Sequence, residues 1–201
     1  MPRVPVRLSG LMATARALIV GAAAAVLLAG CSAGTSTTTT SSTVPPRVTI
    51  PESLLDTVTL PDLGFQIDYP LDWTEASEVG VLGFYAPAAQ GDNFAENFNV
   101  VVFPVPAEMP FETYVQTDAR TLESNPNISV IGSGSATLDG RPASSVLFTT
   151  TAENGAPVTV LRIIALKDGR AYELSFLANT EQFDSYLPLF DALSSSFAFT
   201  D

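Results

Sequence analysis

Carboxylates are the most numerous ionisable side chains in this 201-residue chain, which has 21 Asp and Glu, nine Lys and Arg, one Cys and no His. Histidine is the commonest general base and a usual zinc ligand. Its absence therefore excludes a Ser-His-Asp or Cys-His arrangement and a His/Cys zinc site. A Ser-Lys pair would need Lys167, which stands beside the turn signal Asp168-Gly169, a poor place to desolvate an amine. The sequence predicts no catalytic residue, no cofactor and no metal ion.

Two uses of the carboxylates stay open as alternatives. A glycosidase-type hydrolase needs two acids that face each other across a cleft, whereas acids such as Asp184 and Asp191 fall on the surface of a predicted helix. The segment 91–97 (GDNFAEN) carries Asp92, Asn93, Glu96 and Asn97, whose oxygens could hold calcium, but it lacks the spacing of a known calcium loop. A plain polar loop is the favoured interpretation of this segment.

Cys31 is the single cysteine, and it stands where an apolar run meets a polar segment. Three arginines precede the run 17–28 (ALIVGAAAAVLL), and this order of charge, apolar run and small residues is typical of a secretory signal. The run has 12 residues, whereas a membrane-spanning helix needs about 20, so a retained transmembrane anchor is the weaker alternative.

The residues Leu28-Ala29-Gly30-Cys31 resemble a bacterial lipobox. This resemblance implies that the chain is cut before Cys31, that the thiol receives a diacylglycerol and that the new amino terminus is usually acylated. Three acyl chains exceed the two signals that stable anchoring needs. The predicted lipidation site is therefore Cys31, and the alternative is an ordinary signal peptide with a chance cysteine.

The composition divides the chain into three segments. Residues 1–30 are the predicted lipoprotein signal peptide and 31–55 a Ser/Thr/Pro-rich, disordered tether. Residues 56–201 are a globular domain. The tether has too few apolar residues to offset the entropy of ordering it. About 145 residues are enough for one domain with its own core.

The charge of the chain limits its partners. Residues 1–30 hold three arginines and no acid, so their removal leaves six basic and 21 acidic residues, a net charge of −15. Nucleic-acid binding depends on neutralising phosphates, so it is disfavoured, as is a domain lying flat on anionic lipid. The domain has no cysteine after Cys31, so its core must hold it together without disulfides.

Three turn signals predict an antiparallel meander: Asp139-Gly140, Asn154-Gly155 and Asp168-Gly169. Both pair types favour a type I′ turn. They separate β-rich runs at about 128–138, 142–152, 157–166 and 171–178. The run 158–166 is apolar on both faces, which predicts cover on both sides of the sheet. Gly132-Ser-Gly-Ser lacks the third glycine and the helix of a dinucleotide loop and indicates a strand irregularity.

Further strands and two helices complete the predicted elements. Alternating or β-rich runs start at Phe65, Val81 and Asn99. The first helix has Pro110 in its first turn and ends before Pro126; its apolar stripe is Phe111, Tyr114, Val115, Ala119 and Leu122. The last helix has the stripe Phe183, Tyr186, Leu187, Phe190, Leu193 and Phe197.

Two residues shape the last predicted helix. Thr180 is the expected N-cap, and Pro188 should kink the helix or mark a restart. The apolar stripes of both helices are interpreted as core rather than as ligand-binding surfaces.

Three motifs resemble the PsbP-like superfamily: Tyr69-Pro-Leu-Asp-Trp73, Glu96-Asn-Phe-Asn-Val100 and the ending Ser196-Phe197 after the last strand and helix. Together with the lipobox they make the LpqN type of bacterial lipoprotein the nearest branch. The resemblance covers about 56–201. It implies the α+β class, an α/β/α sandwich around a central antiparallel sheet of about six to seven strands with two main helices. It carries over no catalytic residue, and Trp73 is expected to pack over a sheet edge.

The expected function is that of a non-catalytic accessory or binding module. It is expected to be attached to the extracytoplasmic face of the cell membrane through its lipid anchor and to bind an envelope protein or a lipid. A structural envelope component and, less favoured, a carboxylate-based hydrolase are the alternatives. The sequence does not indicate which partner is bound or the oligomeric state.

Overall fold

The computed structural model describes residue 48, residues 50–87 and residues 94–200. The predicted signal peptide 1–30, the lipidation site Cys31, most of the tether 31–55 and the residues Asp92 and Asn93 lie outside the described residues. Within those ranges, no helix is both long enough and apolar enough to span a membrane.

Ten strands, two α-helices and one 3₁₀ turn form the described part of the chain. The 3₁₀ turn Glu52–Leu54 precedes the first strand. The elements are β1 Leu55–Leu60, β2 Phe65–Pro70, β3 Thr74–Glu75, β4 Val81–Tyr85, β5 Asn97–Pro104, α1 Phe111–Glu123, β6 Ser129–Leu138, β7 Arg141–Thr151, β8 Pro157–Lys167, β9 Arg170–Asn179, α2 Phe183–Ser196 and β10 Ala198–Phe199.

The main sheet has seven antiparallel strands in the order β3-β4-β5-β9-β8-β7-β6. Its second half is the predicted four-strand meander, which is confirmed. The bulge between Val130 and Gly132 confirms the irregularity expected near Gly132. Two of the three tight turns are also confirmed, since Asp139-Gly140 and Asp168-Gly169 have positive φ at both positions.

The third turn differs from the prediction. The β7–β8 connection is a five-residue loop, 152–156, in which only Gly155 has positive φ. The Asn154 side chain accepts a hydrogen bond from the Ala156 amide at 3.0 Å, and the Ala152 amide bonds to the Ala156 carbonyl. Asn154 therefore closes an Asx-type turn on its own backbone instead of entering the left-handed region.

A second sheet has the order β1-β2-β10 and brings the two ends of the described chain together. The predicted strand at Phe65 belongs to this small sheet rather than to the main one. β1 and the two-residue β10 were not predicted. Half-exposed β1 carries Asp56, Thr57 and Thr59 between its apolar residues, which weakens the apolar signal of a strand.

One face of the main sheet packs on α2 and the small sheet to form the larger core. Alternating residues of β5 and β9 supply fully buried side chains, with Phe98 opposite Phe176 and Val100 opposite Leu174. Phe190 of α2 lies 4.8 Å from Phe176 between ring centroids. This packing confirms that the apolar stripe of α2 belongs to the core.

Three expectations about this core can be compared with the structure. Thr180 does not cap α2, because its hydroxyl pairs with Thr159 and Gln182 occupies the N-cap. Of the two alternatives for Pro188, a restart is wrong, because the helix runs unbroken from Phe183 to Ser196, and a kink stays a prediction. Burial of the Leu189 and Phe190 side chains that follow offsets the backbone hydrogen bond that proline cannot make. Trp73 directly precedes the edge strand β3, is 7% exposed and packs against Phe98 in the core.

The layers confirm the predicted fold class, α+β with a seven-strand antiparallel sheet between helices. α2 and the small sheet lie on one face of the main sheet. α1 lies over the other face, where the Asp118 carboxylate of α1 pairs with Arg162 of β8. Both faces of β8 are covered, as the apolar run 158–166 predicted.

Candidate ligand-binding site

A cavity of about 890 Å³ separates α1 from the main sheet. The strands β5, β9, β8 and β7 form its floor, α1 forms its roof, and the chain between β5 and α1 forms one wall. The volume falls in the range of sites for drug-sized ligands. The polar and aromatic residues of its lining include Asn99, Phe103, Tyr114, Asp118, Arg162 and Glu173.

The roof helix is poorly packed against the sheet. Only Asp118 and Leu122 of α1 are buried. The expectation that the apolar stripe of this helix is core is therefore wrong for Tyr114, which lines the cavity. At Asp118 the helix turns an acid toward the sheet, where Arg162 stands below it, and one turn later Leu122 packs against the sheet.

A buried ion cluster ties the roof to the floor. Arg162 Nη2 donates to Asp118 Oδ2 at 2.9 Å, and Arg162 Nη1 donates to Glu173 Oε1 at 3.3 Å. The Arg162 residue is 6% exposed. A guanidinium buried this deeply is tolerated only when it is paired and hydrogen-bonded, so removing either carboxylate leaves the other as its single anionic partner.

Burial raises the pKa of Asp118 to about 7. The positive charge of Arg162 opposes this rise, and the negative charge of Glu173 adds to it. Burial also raises the pKa of the Tyr114 phenol, and the nearby charges of Asp118 and Glu173 raise it further. Tyr114 therefore stays protonated at every physiological pH, whereas Asp118 changes its charge near neutrality.

Two buried polar atoms of the cavity lining have no hydrogen-bond partner among the described residues. Asn99 Oδ1 and Arg162 Nε are buried, and neither has a hydrogen-bond partner within the described ranges. Such atoms are rare in native proteins because a buried unpaired polar group is costly. Both belong to residues that line the cavity. A bound molecule with matching groups is one arrangement that would satisfy them.

Apolar surface surrounds the polar centre. At one end lies a small second core of Leu122, Phe148, Val158 and Val160. At the other end the wall is built from Phe103, Pro104, Val105, Pro106 and Met109. A cavity with apolar ends and a few convergent polar groups is suited to a molecule that has both an apolar part and a hydrogen-bonding group.

The acids and the lysine considered from the sequence lie elsewhere. Asp184 and Asp191 are exposed on α2, as expected. Glu96, from the calcium alternative, is 4% exposed and accepts a hydrogen bond from the Asn179 amide at 3.2 Å. Lys167 bonds the Thr200 carbonyl at 3.1 Å. In the part of the chain that the structure describes, no three Asp, Glu, His or Cys side chains are grouped so as to hold a metal ion.

The ion cluster of Asp118, Arg162 and Glu173 was not predicted from the sequence. Its signal is Arg162, a charge in the middle of the otherwise apolar run 158–166. A strand covered on both faces buries every side chain, so an arginine there must have carboxylate partners. Which acids pair with it could not be read from the pattern, because Asp118 lies 44 residues away in the chain.

The cavity has one feature that a carboxylate-based hydrolase requires and lacks another. Two carboxylates, Asp118 and Glu173, line one cavity, and the pKa of Asp118 is raised. Both, however, are hydrogen-bonded to the same guanidinium, that of Arg162, instead of facing each other across open space.

Comparison with known proteins agrees with this architecture. The PsbP family profile matches residues 55–199. The solution structure of CyanoP, the PsbP protein of Synechocystis sp. PCC 6803, is similar with a TM-score of 0.56 and 15% identity, over 78% of this chain and 98% of that one. The crystal structure of LpqN, involved in cell envelope biogenesis of Mycobacterium tuberculosis, has a TM-score of 0.54 and 16% identity, over 78% of this chain and 100% of LpqN.

Comparison with curated proteins finds no match. At identities this low, the two structures establish the fold and nothing finer. The family profile covers most of the chain, including every strand and both helices described above. The chain therefore belongs to the PsbP family.

Proposed function

We propose that this protein is a lipid-anchored, non-catalytic binding module on the extracytoplasmic face of the cell membrane. Its ligand is a small amphipathic molecule held between α1 and the main sheet. The observation that carries the proposal is the cavity of about 890 Å³, with its apolar ends and its buried polar cluster at the centre.

The location rests on the sequence and on similarity. The lipobox-like residues Leu28 to Cys31 and the Ser/Thr-rich segment after them would attach the domain to a membrane through a flexible tether. The similarity to LpqN, which is involved in cell envelope biogenesis, is consistent with that place.

A small amphipathic ligand is favoured over a protein partner because the site is concave. Protein interfaces use extended surfaces of roughly 800 Å² on each partner, whereas this cavity lies between a helix and a sheet. The unpaired atoms Asn99 Oδ1 and Arg162 Nε are buried. A small molecule can enter the cavity and reach them more easily than the surface of a folded protein can.

Native mass spectrometry would test the proposal. The mature chain 31–201 with Cys31→Ser contains every element that the structure describes and needs no detergent. It would be incubated with a lipid extract of its own envelope. We expect a discrete small-molecule adduct on this protein.

A matched pair of variants decides whether the adduct occupies the cavity. Val101→Trp places an indole on the cavity floor and should abolish the adduct. Val79→Trp makes the same change at a fully exposed position and should leave the adduct unchanged. A bare mass for the parent protein, or an adduct that survives Val101→Trp in a folded variant, contradicts the proposal. A bare mass would direct the search to protein partners by crosslinking at the membrane.

Hydrolysis is a second candidate, favoured only by the raised pKa of Asp118 beside Glu173. The same incubation tests it. Time-dependent loss of an extract component that Asp118→Asn abolishes would establish hydrolysis. Unchanged components over hours would remove that candidate.

A further inference from the structure

We propose that the cavity between α1 and the main sheet selects a positively charged amine as the head group of its ligand. This inference rests on the proposed function, because it names the chemical class of the amphipathic molecule. Charge, hydrogen-bonding capacity and aromatic walls lead to it separately.

The charges around the cavity do not balance. Asp118 and Glu173 are the acids that line it, and Arg162 is the one basic residue among the described lining residues. When both carboxylates are ionised, the lining has one surplus negative charge. A bound cation would neutralise this charge, whereas a bound anion would double the imbalance in a site partly shielded from water.

The free hydrogen-bonding atoms of the ion cluster favour a cation in the same way as its charge does. Arg162 uses its two terminal nitrogens on Asp118 Oδ2 and Glu173 Oε1. The second oxygen of each carboxylate, Asp118 Oδ1 and Glu173 Oε2, accepts no hydrogen bond from the described residues and stays accessible to solvent, whereas Asn99 Oδ1 is buried and also unpaired. Against these acceptors the ion cluster itself has one unpaired donor, the buried Arg162 Nε. An ammonium group carries three donors and no acceptor, so it matches the surplus.

Aromatic rings lie along the same cavity. Tyr114 belongs to the roof, Phe103 to the floor near one end and Phe148 to the floor near the other. The faces of such rings attract cations. The net charge of −15 after removal of 1–30 would also raise the local concentration of a cation near the domain. The apolar part of the ligand would lie along Val105 and Met109.

A series of probes with the same eight-carbon chain isolates the head group. The mature chain 31–201 with Cys31→Ser is titrated by calorimetry at pH 8 with n-octylammonium, n-octanol and n-octanoate, each below its micelle concentration. Charge-assisted hydrogen bonds are roughly twice as strong as neutral ones. We expect n-octylammonium to bind about tenfold more tightly than n-octanol, and n-octanoate to bind most weakly.

One isosteric variant assigns the selectivity to the cluster. Glu173→Gln keeps an oxygen that can accept from Arg162 but removes the surplus charge, so it should weaken n-octylammonium binding about tenfold and leave n-octanol binding nearly unchanged. Glu181→Gln makes the same change at an exposed position outside the cavity lining and should alter neither.

The outcomes separate this inference from the proposed function. If n-octanol or n-octanoate binds as tightly as n-octylammonium, or if Glu173→Gln leaves n-octylammonium binding unchanged, the amine head group is refuted while an amphiphile site stands. If none of the three probes binds and the envelope extract leaves no adduct, both the inference and the proposed function fail.

Discussion

Replacing Asp118 by Asn should remove a pH dependence of stability that this one carboxyl imposes on the fold. The residue is 9% exposed and pairs with Arg162 at 2.9 Å. Burial raises its pKa from 3.8 to about 7. Asparagine keeps the shape and an oxygen that can accept from Arg162, so the variant removes the ionisation with little change in packing.

The sign and the size follow from the two pKa values. Between pH 3.8 and 7 the folded state keeps the Asp118 proton while the unfolded state has released it. The free energy of unfolding of the wild type therefore falls as the pH rises through this window, and the contribution is constant above it. Each pKa unit corresponds to about 1.4 kcal/mol. Over the two units from pH 5 to 7, the wild type should lose about 2–3 kcal/mol relative to Asp118→Asn.

Urea unfolding at pH values from 5 to 8 measures this difference. The single tryptophan, Trp73, is buried on the opposite side of the sheet from Asp118, and its fluorescence reports global unfolding without contacting the changed site. Asp191→Asn, an exposed acid on α2, serves as the control and should run parallel to the wild type.

Parallel curves for the wild type and Asp118→Asn, within about 0.5 kcal/mol from pH 5 to 8, would refute the reasoning. So would a wild type that gains stability relative to the variant as the pH rises. That result would mean that attraction to Arg162 outweighs burial and lowers the Asp118 pKa.

Two further predictions concern the anchor and the core. The intact mass of the protein purified from membranes should correspond to a chain that begins at an acylated Cys31. The variant Cys31→Ala should give an uncut chain without acyl groups. A free thiol at Cys31 in the membrane fraction would refute the anchor. Phe176→Ala should lower the free energy of unfolding by about 3–5 kcal/mol, because the ring is fully buried between Phe98 and Phe190. Ile131→Ala at the exposed edge strand should change it by less than about 0.5 kcal/mol, and a loss for Phe176→Ala as small as that would contradict the core assignment.

Local signals in the sequence were sufficient for the meander and both helices. Asp139-Gly140 and Asp168-Gly169 define tight turns because aspartate and glycine both tolerate positive φ. The limits of α1 lie next to Pro110 and before Pro126, where proline's missing N–H and fixed φ restrict a helix. Each of these signals acts over a few residues, so one sequence is enough to detect it.

The small sheet could not be predicted in the same way. β10 has two residues and pairs with β2 more than 130 positions earlier in the chain. Residues this far apart are joined by packing, as when Phe197 stacks on Phe65 at 5.4 Å. A two-residue strand has no periodicity of its own to detect.

The amino-acid sequence by itself determined the predicted anchor at Cys31, the acidic charge, the absence of histidine chemistry and the order of the main elements, because each depends on composition or on near neighbours. Tertiary structure alone decided that α1 lies over a cavity and that Asp118, Arg162 and Glu173 form one cluster inside it. An apolar stripe looks the same in sequence whether it packs tightly or lines a space. The gap between two layers depends on how all their side chains fit together.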